Sequence, residues 1–341
     1  MKKILISALL LMLILTACEN GNITEESNIP NEYRIEDFYP LTENAKYIYE
    51  GVGNEYTSYT VFIDYKTDSR VQIRTNNGGS ESVKVLELKD GQLKEVFFRG
   101  ETYFRENFAD DEYTESKILL KEPLKEGNSW LTGENSETVI TNISKKVVTT
   151  QGNLDAIEVT TKNNNETVIE YYARNKGLVK TVNKGEGYET VSTLSDIENN
   201  VPFIQTVTLF YPDINGINLN TIDVPVSFNT NDEPKDVIEK TLKDLSVYEI
   251  FSPNTKINEL YYSLEENSAH IDLSKEFITE MNLGAGFEEK VLTCIANTLG
   301  TYYDTHIVYL TIEGGPYESG HIILEEGEPL SVDYSNTKIH E

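Results

Sequence analysis

Cysteine is nearly absent, with 2 residues in 341, so no disulfide framework holds this fold. Basic residues are scarce as well: 29 Lys and Arg stand against 57 Asp and Glu, a net charge of −28. Such a surface repels phosphate backbones, whose binding depends on basic side chains releasing counterions. Nucleic acid is therefore not expected as a partner. Apolar runs are missing beyond the N-terminus, and the one there, Ile4 to Leu15 broken only by Ser7, falls short of the roughly 20 residues of a spanning helix. The mature chain should carry no transmembrane helix. Only 4 histidines occur, with no HxH or HExxH pattern, so no metal or cofactor is expected. What remains is 38% hydrophobic and 10% aromatic, enough to fold. The length suggests two domains, each able to bury a core.

Lys2 and Lys3, the apolar run and Leu15-Thr16-Ala17-Cys18 read as an export signal over residues 1–17. The last four residues resemble a bacterial lipobox. That resemblance implies a diacylglyceryl Cys18 at the mature N-terminus, where two acyl chains hold a protein on a membrane stably and one would not. An acidic body is pushed away from an anionic bilayer, so the lipid would have to keep it there. Residues 18–36 are rich in Asn, Glu and Ser without apolar period and read as a flexible tether.

From 37 to 197 the pattern is strand after strand, as in 59–65, 83–88 and 167–172, where β-branched and aromatic residues partly alternate with polar ones. Asn76-Asn77-Gly78-Gly79, Asp90-Gly91 and Gly185-Glu186-Gly187 supply turns. No long amphipathic helix interrupts them, and the reading is an antiparallel β domain. Pro40-Leu41-x-Glu43-x-x-x-Tyr47 recurs as Pro123-Leu124-x-Glu126-x-x-x-Trp130, and Gly91-x-Leu93-Lys94-x-Val96 recurs loosely as Gly177-x-Val179-Lys180-x-Val182. Two related meanders joined in one curved sheet would explain the echo. Pro123 to Trp130 and Tyr171 to Lys180 also resemble a β-rich module of bacterial exported lipoproteins, which implies fold alone.

A polar stretch closed by Pro202 marks a boundary, with a linker at 198–204. Strands are expected at 205–211 and 222–226, then a helix after Pro234 carrying Val237, Ile238, Thr241, Leu242 and Leu245 on one face. Strands at 256–264 and 268–273 follow, then a second helix with Phe287, Val291, Ile295 and Leu299, and a strand at 306–313. The expected architecture for 205–333 is α+β: a mixed sheet with two helices on one face, and a tail at 334–341.

The block Ala269-His270-Ile271-Asp272-Leu273-Ser274-Lys275-Glu276-Phe277 resembles the V-D-F-S-x-E-F block of the GerMN domain of sporulation and spore germination proteins. The similarity continues through Gly284-Ala285-Gly286-Phe287-Glu288, Asn297-Thr298-Leu299, Ile312-Glu313-Gly314 and Gly320-His321-Ile322, from about 205 to 332. Each block also has a structural reading: Asp272 or Ser274 caps a short helix and Phe277 enters the core. The resemblance implies a non-catalytic envelope component that engages protein partners or septal wall. The chain departs from the family pattern between Leu245 and Asn258, where Val247-Tyr248-Glu249-Ile250-Phe251 replaces a short Gly/Pro-rich link.

Candidates for chemistry are few. His270, His306, His321 and His340 are scattered. Cys294 sits on the second helix as a small hydrophobe rather than a nucleophile. No GxSxG pattern or phosphate-cradling glycine loop is present. Asp110-Asp111-Glu112 lacks the ligand period of a calcium loop. Among 21 tyrosines, Tyr56, Tyr59, Tyr171 and Tyr172 on expected strands are candidates to stack on sugars or a protein. No catalytic residue is expected. The resulting expectation is a lipid-anchored interaction protein on the outer face of the cytoplasmic membrane. Its partners would be envelope or sporulation-complex proteins, with peptidoglycan binding as the alternative and wall hydrolysis a more distant one.

Overall fold

Segments that alternate β-branched or aromatic residues with polar ones become twelve antiparallel strands in the computed structural model, which describes residues 33–39, 42–133, 136–244, 250–281 and 283–338. The first six are β1 (Ala45–Val52), β2 (Tyr59–Lys66), β3 (Arg70–Asn76), β4 (Glu81–Lys89), β5 (Gln92–Gly100) and β6 (Lys117–Lys121). The second six are β7 (Ser129–Leu131), β8 (Glu137–Thr149), β9 (Gly152–Lys162), β10 (Glu166–Ala173), β11 (Gly177–Gly185) and β12 (Tyr188–Asn199). They form one sheet in the order β6-β5-β4-β3-β2-β1-β12-β11-β10-β9-β8-β7. β1 and β12 pair at its middle, and each half runs outward as a six-strand meander. The turn between β4 and β5 needs two left-handed residues, and Asp90 and Gly91 supply them at φ 53° and 65°.

The sequence echo acquires a strand-for-strand meaning. Tyr47 lies on β1 and Trp130 on β7, the first strand of each meander, while Gly91-Leu93 enters β5 and Gly177-Val179 enters β11, the fifth of each. Pro40 and Leu41 lie outside the described residues. The terminal strands β6 and β7 do not share a ladder, yet Trp130 Nε1 donates to the Ile118 carbonyl at 3.1 Å, so the sheet curls until its two edges meet.

The C-terminal part comprises β13 (Phe203–Pro212), β14 (Leu219–Phe228), α1 (Pro234–Asp244), β15 (Ile257–Ser263), β16 (Ser268–Leu273), α2 (Glu276–Thr279), α3 (Ala285–Tyr303), β17 (Ile307–Ile312), β18 (Gly315–Pro316), β19 (Leu330–Ser331) and β20 (Thr337–Lys338). It is α+β, but with two sheets where one was expected: β13-β14-β20 and β15-β16-β17-β18, the latter extended by β19 against β17. The reason lies in α3. Cys294 through Gly300 are all buried, so nearly two turns are covered on every side, and such a helix needs a layer on each flank. It packs on β13 from one sheet and on β16 and β17 from the other.

The ordered body extends past the expected boundaries at both ends. Ile35, placed in the tether by its sequence, is fully buried in a 3-10 turn (Ile35–Phe38) and its N–H donates to Glu122 Oε1 at 3.1 Å. In the 198–204 stretch only residues 200–202 lie outside strands. Thr337 and Lys338, read as tail, pair in parallel with β14.

Candidate functional site

Period two assigns the two faces of β2–β4 different work. On β3, Val71, Ile73 and Thr75 face the inside of the curl, while Gln72 and Arg74 face the C-terminal part. On β2, Asp64 points the same way as Arg74, and both are fully buried. The segment between β5 and β6, about sixteen residues by its numbering, crosses this outer face and buries Phe104, Arg105 and Phe108. Arg105 Nη1 donates to Asp64 Oδ1 at 3.1 Å, Nε to the Asp232 carbonyl at 2.9 Å and Nη2 to the Asn229 carbonyl at 2.9 Å. Its guanidinium lies over Tyr65 and Phe228, 4.6 and 4.9 Å from their ring centres. The Arg105 backbone N–H donates to the Tyr302 hydroxyl of α3 at 3.1 Å, and Glu106 Oε2 accepts from the Tyr262 N–H at 2.7 Å. Thr230 and Asn44 exchange two further bonds at 2.8 and 2.9 Å. Tyr33–Glu341 is accordingly one compact unit, with a continuous core from Val83 and Val85 through Phe104 to Leu260 and Val291.

Two polar clusters mark the C-terminal part. Glu288, buried in the first turn of α3, accepts from the hydroxyls of Tyr317 (2.7 Å) and Ser319, with His321 Nδ1 at 3.5 Å. This ties the segment after β18 to the helix. On the sheet, His270 stacks between Tyr261 and Tyr309 at ring distances of 4.6 and 4.9 Å. Because each ring covers its neighbour, this ladder braces three strands rather than offering open faces.

Inside the curl lies a cavity of about 250 Å³. Its floor is apolar and buried, from Tyr47, Tyr49, Val61, Leu86, Leu93 and Tyr172. Its mouth is charged, with Lys84, Glu95, Lys117, Glu170 and Lys176. Burial raises the Glu170 carboxyl above its ordinary value, opposed by Lys117 and Lys84. The Tyr39 hydroxyl is buried beside the cavity without a partner among the described residues.

Residues 208–318, which span β13 to just past β18, match one protein family. That family is Germane, sporulation and spore germination. No curated protein matches the chain. Among solved structures, a candidate lipoprotein from Parabacteroides distasonis shares 13% identity over 47% of this chain and 98% of its own, at a TM-score of 0.28. A candidate exported protein with a YmcC-like fold from Bacteroides fragilis shares 12% over 48% and 99%, at a TM-score of 0.30. Likeness that slight carries no argument about fold or function.

The residues singled out from the sequence distribute unevenly over this frame. Cys18 and His340 lie outside the described residues, as do 245–249 of the segment that departs from the family pattern, while Ile250 and Phe251 are buried in the core. In the C-terminal part, His270 belongs to the ladder, His321 to the Glu288 cluster, and His306 is exposed. Among the described residues no three metal-ligating side chains converge. Cys294 is fully buried against Phe210 and Leu219, and burial pushes its thiol up to about 12, as an inert core residue requires. Asp272 does not cap α2: Oδ1 accepts from Thr311 Oγ1 at 2.6 Å and from the Gly314 N–H at 2.7 Å, holding the turn after β17. Ser274 also leaves the cap unfilled, its hydroxyl accepting from the Lys256 N–H at 3.0 Å, because the facing strand start presents an unpaired donor. Phe277 is buried as expected. Asp110, Asp111 and Glu112 are exposed, and Arg70 Nη1 binds the carbonyl of Asp111 at 2.6 Å. Tyr59 and Tyr172 line the cavity, Tyr171 is half-buried, and Tyr56 is exposed in a 3-10 turn rather than on a strand. Sequence reasoning missed the seam residues Asp64, Arg74 and Arg105; a basic residue inside an aromatic run was the only available signal.

Proposed function

We propose that this is a lipid-anchored, exported envelope protein that acts in sporulation or spore germination by contacting other envelope proteins, without catalysis. The observation that carries the reading is the Germane match over residues 208–318. The seam around Arg105 supports it, because a region fixed rigidly to a large curled sheet is presented to partners as one body. The lipobox-like Leu15-Thr16-Ala17-Cys18 supports anchoring through Cys18 and a position on the outer face of the cytoplasmic membrane. Crosslinking in intact cells, sampled through growth and sporulation, should recover envelope proteins bound to this chain. Recovery of none at any stage would overturn the proposal.

A second reading, a glycan- or peptidoglycan-binding module, draws on the cavity that Tyr59 and Tyr172 line. Sedimentation of the protein with purified peptidoglycan tests it directly.

A further inference from the structure

Three features of the cavity in the curled sheet point to a ligand. The first is size. At about 250 Å³ it lies just under the roughly 300 Å³ at which sites for drug-sized molecules begin, so one six-membered ring fits and a string of them does not. The second is the separation of its walls, an aromatic and aliphatic floor of Tyr49, Tyr172 and Leu93 below a polar mouth. The third is unsatisfied hydrogen-bonding capacity. The Tyr39 hydroxyl is buried without a partner among the described residues, and the half-buried Thr75 and Ser82, a cross-strand pair, bring two further hydroxyls to the cavity lining. A buried donor left unmade is costly, and a ring carrying several hydroxyls would satisfy such groups where a bare aryl ring would not.

Charge narrows the class. The chain is strongly acidic at −28, yet the mouth gathers Lys84, Lys117 and Lys176 against Glu95 and Glu170. Lys84 is committed to Glu95 at 2.8 Å. Lys117 has no carboxylate within ion-pair distance among the described residues. A local excess of cations in an acidic protein selects an anion.

We infer that this cavity binds a single acidic pyranose, its ring on the tyrosine floor, its hydroxyls on Tyr39, Thr75 and Ser82, and its carboxylate at Lys117. The inference deepens the glycan reading and rests on it for the class of ligand alone; it does not depend on the anchor or on the Germane region. Glucuronate serves as the probe, titrated into the full-length protein and followed by saturation-transfer NMR and calorimetry, with glucose and benzoate as comparisons. Saturable glucuronate binding is expected, at least about tenfold tighter than either comparison, the ratio a single charge-assisted contact or a set of hydroxyl contacts supplies. Lys117→Met should remove that preference over glucose while leaving the unfolding midpoint unchanged, since Lys117 is exposed. Tyr39→Phe should weaken both sugars several-fold and leave benzoate unaffected. Absence of saturable glucuronate binding, equal binding of glucose, or equal binding of benzoate would each overturn the inference. Sedimentation with peptidoglycan in the absence of monosaccharide binding would leave the glycan reading standing and this inference refuted.

Discussion

Arg105 Nη1 lies 3.1 Å from Asp64 Oδ1, and neither side chain has any solvent exposure. Arg74 approaches the same carboxylate at 3.0 Å, so one buried acid holds two buried guanidiniums, whose other donors go to main-chain carbonyls and, from Arg74, also to Glu81 Oε2 at 3.0 Å. Charges this deep persist only when fully hydrogen-bonded, and here the bonds run from the sheet to both the crossing segment and the Germane region.

Arg105→Met should destabilise the whole unit by about 3 kcal/mol, toward the low end for a broken buried pair because Arg74 still serves Asp64. Urea unfolding followed by tyrosine fluorescence measures this. Asp64→Asn alone should cost more than Arg105→Met, because it takes the shared carboxylate from both guanidiniums. A single-variant effect below about 1 kcal/mol would show that the seam is not held by this pair.

Glu106 gives the seam a pH dependence. Burial pushes its carboxyl up to about 7 from an ordinary value of 4.5, against the N–H groups of Tyr262 and Asn107, which favour the anion. A carboxyl raised in the folded state binds its proton more tightly there than in the unfolded chain. Its contribution is therefore fully present below about pH 4.5 and is lost as pH rises to about 7. Glu106→Gln, which keeps an acceptor for Tyr262, should flatten that part of the stability profile by on the order of 3 kcal/mol. Denaturation midpoints on either side of the window, with and without the substitution, check it; parallel profiles would contradict it.

Trp130 joins the edges of the twelve-stranded sheet through Nε1 and the Ile118 carbonyl. Trp130→Phe keeps most of the apolar contact and removes the donor, and should cost about 1–2 kcal/mol. Faster amide exchange confined to β6 and β7 is the expected signature. Unchanged exchange there would mean the edges are held by other contacts.

Cys18→Ala should move the protein from the membrane to the soluble exported fraction without changing its unfolding midpoint, since the two acyl chains are the proposed hold on the bilayer. Membrane fractionation of the variant decides it, and retention would reveal another anchor.

Cys294 should resist thiol reagents in the folded protein at mildly alkaline pH and react fully once denatured, because burial both covers the sulfur and suppresses its thiolate. Rapid labelling of the native chain would contradict this placement.

Much of the architecture was legible along the chain. The strands at 59–65, 83–88 and 167–172 and the helix after Pro234 appear where their periods place them, since local alternation and Pro or Gly punctuation act over a few residues. The echo between Tyr47 and Trp130 correctly anticipated two meanders. The all-round burial of α3 was harder to see. Asn297, Thr298 and Gly300 look polar or small, yet Asn297 bonds to both backbone groups of Asp333 and Thr298 to the Phe210 N–H, partners that lie far off in sequence.

By itself the amino-acid sequence determined the strand and helix content, the acidic balance of charge and the Germane likeness, all of which depend on composition, short periods or contiguous motifs. Only tertiary structure decided that Asp64, Arg74 and Arg105 meet, that Tyr59 and Tyr172 face one hollow, and that the two parts share a core. Those outcomes depend on the curl of a sheet whose paired strands bring together residues as far apart as Ala45 and Asn199, and that closure is a property of the assembled ladder rather than of any one segment.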